Sequence, residues 1–122
     1  MIIKGEFMKK SEITVTDKYT IMIGLNDKDT YEQKFSTDTL VNIIRIVCKN
    51  YSVAFSLSRN EGGYIHENGH YTQENSLALS LIGATQENVD EIAADICALF
   101  HQESVIISKE KVESYYLMES ID

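Results

Sequence analysis

A chain of 122 residues has room for one hydrophobic core and not for two. Its 43% apolar and 25% charged residues are ordinary for a globular domain, but a net charge of −8 disfavours a non-specific nucleic-acid binder, which needs a basic stripe to displace counterions. The charge also disfavours an anionic membrane surface. With no apolar run of about 18 residues and no signal-peptide core, the sequence predicts a cytoplasmic protein without nucleic-acid or membrane partners.

Residues 1–17 are polar and weakly patterned and predict a partly ordered N-terminal extension, with residues 12–16 suited to an edge strand and Met8 to an alternative start. Residues 18–122 read as a single domain. It opens with a strand over residues 19–25, rich in β-branched and apolar side chains, in which Gly24 suggests a bulge or a close backbone approach. A polar loop follows from Asn26. Ser36 or Thr37 then caps a helix, with Asp38 in its first turn and an apolar stripe of Leu40, Ile43, Ile44, Val47 and Tyr51.

Residues 53–59 alternate, with Val53, Phe55 and Leu57 on one face and Ala54, Ser56 and Ser58 on the other. Gly62 and Gly63 predict a kink or bulge. Asn68-Gly69 is a strong hairpin signal, since a two-residue type I′ turn needs φ > 0 at both central positions. That turn sets Glu67 opposite His70, His66 opposite Tyr71 and Ile65 opposite Thr72, and so puts the two histidines on opposite pleat faces. Residues 76–82 return as a strand with Leu77, Leu79 and Leu81 inward. Thr85 caps a second helix whose stripe is Val89, Ile92, Ala93, Ile96, Leu99 and Phe100. A last strand begins at Val105 and continues toward Leu117.

The order is β-α-β-β-α-β, which predicts an α+β, ferredoxin-like split βαβ fold. Its four-stranded antiparallel sheet carries two helices on one face. The other face shows small residues, Ala54, Ser56, Ser58, Ala78 and Ser80, that let another sheet approach. The expected partner is therefore a second copy of the chain, in a homodimer or higher oligomer, with Tyr115 and Tyr116 at the interface.

No catalytic, cofactor or metal motif stands out. No Gly-x-Ser-x-Gly elbow or phosphate-cradling glycine loop is present, and no paired Cys or His spacing suits zinc. The two cysteines, Cys48 and Cys97, fall in the predicted helices and read as reduced interior thiols. Polar groups instead gather in three places. Asn26 and Lys28 follow the first strand. Arg59, Tyr64, His66, His70 and Tyr71 on the hairpin offer rings and a cation for a flat, anionic ligand. Thr72, Glu74 and Asn75 add donors and acceptors. The expectation is a non-enzymatic binder of a small polar or nucleotide-like molecule. One alternative is an acidic protein–protein interaction module that inhibits a host protein. Another is an enzyme using His66 or His70 as a general base.

Residues 19–26, the Gly63, Gly69, Thr72, Glu74, Asn75 and Leu77 spacing, and residues 102–106 resemble a bacterial family, domain of unknown function 3574. The resemblance spans residues 18–117. It carries over no enzymatic role, and it implies relatives in Firmicutes and their phages. From that association comes the expectation of a phage counter-defence protein sequestering a nucleotide immune signal.

Overall fold

The computed structural model describes residues 8–119, apart from the side chain of Tyr64; residues 1–7 and 120–122 lie outside the described residues. Its elements are β1 (Met8–Lys10), β2 (Thr14–Gly24), α1 (Thr37–Asn50), β3 (Ser56–Ile65), β4 (Tyr71–Ile82), α2 (Gln86–Leu99), β5 (Ile106–Ser114) and β6 (Leu117–Glu119). Four strands form an antiparallel sheet in the order β3-β4-β2-β5. The α+β class and the four-stranded sheet are as expected.

The core follows from strand alternation. Tyr19, Ile21 and Ile23 of β2 and Leu77, Leu79 and Leu81 of β4 point to one face. On that face Ile21 pairs with Leu79, and Leu79 with Leu57. Both helices close over it in one cluster, α1 through Leu40, Val41, Ile44, Val47 and Cys48, and α2 through Val89, Ile92, Ala93 and Ile96. Burial raises the Cys48 thiol to about 11, so it is protonated at neutral pH and packs as a small apolar group. Both cysteines are free.

The helix ends are set by local chemistry. Ser36 Oγ accepts from the Thr39 N–H at 3.2 Å, and Thr85 Oγ1 accepts from the Asn88 N–H at 3.1 Å. Each helix ends in a Schellman motif. For α2, the His101 N–H donates to the Ala98 carbonyl and the Gln102 N–H to the Cys97 carbonyl. The left-handed position that glycine usually fills is taken by Ser52 (φ 54°) after α1 and by His101 (φ 53°) after α2.

Several boundaries differ from the sequence reading. β2 starts at Thr14 rather than Tyr19, because Thr14 to Asp17 pair with β5 beyond the end of β4. β3 starts at Ser56, which leaves Phe55 outside the strand and 39% exposed instead of inward. Leu99, expected on the apolar stripe of α2, is 57% exposed, and Phe100 takes the buried place beside it. The last strand breaks at Ser114, and its continuation, β6, pairs with β1 as a separate two-stranded sheet that the sequence did not announce. Gly62 and Gly63 make no bulge: they pair in regular register with Glu74 and Gln73.

The hairpin register also differs. Ile65 pairs with Tyr71, and the His66 N–H donates to the His70 carbonyl at 2.9 Å. The loop therefore holds three residues, with the Gly69 N–H returning to the His66 carbonyl and Gly69 alone at positive φ (85°). Asn68 stays at negative φ, so the expected type I′ turn does not form. A one-residue change of register swaps pleat faces. His66 and His70 consequently lie on the same face, 6.1 Å apart, and both rings contact Tyr31 at 4.4 and 4.3 Å.

Candidate functional site

The site is built where the end of β2 meets the middle of the β3–β4 ribbon. Beyond Gly24 the chain turns, and the turn is held from two sides. The Leu25 N–H donates to the Asn75 carbonyl at 3.1 Å, tying it to β4. From the end of α2, Gln102 Nε2 donates to the Asn26 carbonyl, and the Lys28 N–H donates to the His101 carbonyl at 3.0 Å.

Asp27 anchors the turn and is buried. Its Oδ2 lies 2.7 Å from His101 Nδ1 and 3.4 Å from Lys34 Nζ, and its Oδ1 accepts from the Asp29 and Thr30 N–H groups. The His101 contact, helped by the Asp29 amide, holds the Asp27 carboxyl well below the ordinary carboxylate range. The left-handed backbone at His101 sets its ring against Asp27. A depressed folded pKa stabilises the fold above the unfolded value, near pH 4, and the stabilisation fades as pH falls below it. The melting temperature of Asp27→Asn should therefore lie below wild type at about pH 7, and the gap should narrow toward about pH 2. A gap that stays constant across that range contradicts this account.

The turn delivers the Asn26 N–H to Glu74, whose Oε2 accepts it at 2.8 Å. Glu74 leans over Gly24, where a Cβ would sit 2.6 Å from its Cδ and 2.9 Å from its Oε2. Two hollows meet at Glu74, Gly62 and Gly63. The larger, of about 660 Å³, is lined by Asn26, Gln33, Glu61, Gln73 and Asn75 as well. The smaller, of about 180 Å³, is more apolar and adds Met22, Ile23, Gly24, Ser76, Gln102, Ser104 and Ile106. Among the described residues lining the two there are two carboxylates and five side-chain amides, and no lysine, arginine or histidine.

The ten expected ligand residues thus divide. Asn26, Glu74 and Asn75 meet in the cleft, with Asn75 Nδ2 donating to Gln33 Oε1 at 3.0 Å. Lys28 and His66 line a separate hollow of about 400 Å³ at the hairpin tip, with Tyr31 and Glu103. There His66 Nδ1 lies 2.7 Å from Glu103 Oε1, and both ring nitrogens are sealed from solvent. His70 stacks on Tyr31 and is exposed. Tyr71 lies against Gly63, where a Cβ would sit 2.8 Å from its Cζ. Thr72 pairs with Tyr64, whose side chain is outside the described residues.

Arg59 is not in the cleft. It lies on the helix-covered face and pairs with Asp38 in the first turn of α1, because its strand position shares parity with Leu57. Tyr115 and Tyr116 are exposed, 53% and 75%. Gln33, Gln102 and the glycines were missed. An amide or an empty position acquires meaning only from what the fold brings beside it.

No family model and no curated protein matches the chain. Solved structures do match, and they place it among α+β proteins whose architecture fits a ferredoxin-like fold. An apo nitrogen regulatory PII-like protein, CPII from Thiomonas intermedia K12, is 9% identical with a TM-score of 0.54, over 86% of this chain and 97% of that one. The same protein bound to ADP, AMP and bicarbonate is 8% identical with a TM-score of 0.50, over 84% and 91%.

A phage SAM lyase in complex with S-methyl-5′-thioadenosine is 21% identical with a TM-score of 0.66, over 85% of this chain and 89% of that one. That likeness runs against the expectation of a non-enzymatic protein: a solved structure of similar fold is an enzyme, which points toward an enzyme here. Among the described residues, no helix is long and apolar enough to cross a membrane.

Proposed function

We propose that the chain is an enzyme that binds S-adenosylmethionine (SAM) in the Glu74 cleft and breaks a carbon–sulfur bond to release S-methyl-5′-thioadenosine. The observation that carries this reading is the charge of the lining. Phosphorylated nucleotides such as ADP and AMP need cationic side chains or a helix N-terminus. The described lining residues supply neither, and the carboxylates of Glu61 and Glu74 would repel a phosphate. A sulfonium ligand inverts the requirement. Its positive sulfur suits a carboxylate, its adenine suits the apolar hollow at Met22 and Ile106, and its amino-acid end and ribose suit the amides of Gln33, Gln73 and Asn75. The likeness to a phage SAM lyase supports the same choice between the two kinds of neighbour.

The chemistry asks little of the protein. A lyase adds no water. The carboxylate oxygen of the substrate attacks its own Cγ, the Cγ–S bond breaks, and the electron pair moves to sulfur, neutralising the sulfonium. The products are S-methyl-5′-thioadenosine and a five-membered amino lactone, and no proton changes hands. The protein must fold the substrate so that oxygen and Cγ meet. Glu74 anchors the sulfur and the amides hold the two ends. A histidine base is not required, which agrees with the placement of His66 and His70 outside the cleft. The idea of sequestering an anionic nucleotide signal gives way to turnover of a cationic one.

The test is incubation of the purified protein with SAM, followed by chromatography and by calorimetric titration with SAM, ADP and AMP. The expected result is S-methyl-5′-thioadenosine accumulating with time, and SAM binding that neither ADP nor AMP displaces. No product, together with binding of AMP or ADP, overturns the proposal.

A further inference from the structure

Gly24 is the last residue of β2 and pairs with Ser76 in regular register, so no turn demands a glycine there. Its backbone does not need positive φ either: among the described residues, only Gly69 and Gly83 are glycines at positive φ. What fills the space of its missing side chain is the Glu74 carboxylate. A Cβ at position 24 would sit 2.6 Å from Glu74 Cδ and 2.9 Å from Oε2, with Oε1 closer still. Real Cβ atoms do not approach other atoms so closely. Glu74 cannot swing aside without losing the Asn26 N–H, which holds Oε2 at 2.8 Å.

We infer that Gly24 is a positioning residue: the absence of a side chain at the end of β2 seats the Glu74 carboxylate against the backbone, where it holds the sulfonium of the substrate. The inference rests on the reading of this cleft as a SAM site. Seat and substrate then make separate claims. The seat is a steric coupling between positions 24 and 74, present with or without ligand. Its functional consequence is selective, because a displaced carboxylate weakens a cationic ligand far more than a neutral one.

The experiment is a double-mutant cycle of Gly24→Ala and Glu74→Gln, extended with Glu74→Ala, read by thermal melting, by KM and kcat for SAM, and by the Kd of neutral S-methyl-5′-thioadenosine. Gly24→Ala should raise KM for SAM about tenfold or more and change the Kd of the neutral thioether by less than about threefold. In the Glu74→Gln background, Gly24→Ala should add little further loss of SAM affinity. In the Glu74→Ala background, where the side chain it would strike is gone, Gly24→Ala should lower the melting temperature less than it does in wild type.

If Gly24→Ala alone fails to fold, recovery of a cooperative melt in the Glu74→Ala double variant carries the same conclusion. Equal melting losses in both backgrounds overturn the seat, and equal weakening of charged and neutral ligands overturns its role in holding the sulfonium. Wild-type protein that ignores SAM but shows the melting coupling sinks the SAM reading and leaves the seat standing.

Discussion

Glu74→Gln will raise KM for SAM by about tenfold to a hundredfold while leaving kcat within a few-fold of wild type. A carboxylate about 4 Å from a sulfonium, in a half-buried site of effective dielectric near 20, contributes up to about 4 kcal/mol before solvent screening. Partial exposure of Glu74 reduces this to about 1.5–3 kcal/mol, and each 1.4 kcal/mol is tenfold. The reaction discharges the sulfur, so the attraction is stronger in the ground state than in the transition state and its loss appears in binding. The neutral thioether should feel the change by about threefold or less. Steady-state kinetics and calorimetry decide the matter. A collapse of kcat with KM unchanged would assign Glu74 a role in bond-making that this account denies it.

Leu79→Ala will destabilise the fold by about 2–5 kcal/mol and lower the melting temperature by about 10 °C or more. Leu79 is fully buried, pairs with both Ile21 and Leu57, and sits in the cluster covered by α1 and α2, so the cavity left behind cannot be refilled by a neighbouring strand. Natural domains hold about 5–15 kcal/mol in all, so this single change removes a large share. Leu99→Ala, on the exposed side of α2, is the matched control and should stay within about 0.5 kcal/mol. Chemical denaturation of the two variants should separate them. Equal losses would mean that Leu99 is buried in solution by something beyond this chain.

The sequence spoke clearly where the cause was local. Ser36 and Thr85 are caps because a hydroxyl reaches an amide three residues on, and both apolar stripes are visible at helical spacing. Strand alternation at Leu77, Leu79 and Leu81 was equally legible. Register was not. Asn68-Gly69 suggested a type I′ turn, but the turn that forms keeps only Gly69 at positive φ, and two histidines close on Tyr31 from a loop more than thirty residues earlier. That ring contact is invisible to any reading of the hairpin alone.

Within the site, Asn26 was found as a polar group after the first strand, and Glu74 and Asn75 as donors and acceptors beside the hairpin. Arg59 was misassigned as the hairpin's cation for a ligand, whereas strand parity sends it to Asp38. Gly24 was read as a bulge or a close backbone approach. It is a close approach, but by a carboxylate from fifty residues away, which no local rule announces.

The acid-and-amide wall of the larger hollow has a consequence for selectivity among adenine compounds. On the reading proposed above, the two glutamates that hold a sulfonium also repel the phosphates of adenine nucleotides. Discrimination against them is then achieved by repulsion rather than by a bespoke fit. Selectivity of that kind asks for neither a lid nor a proofreading step.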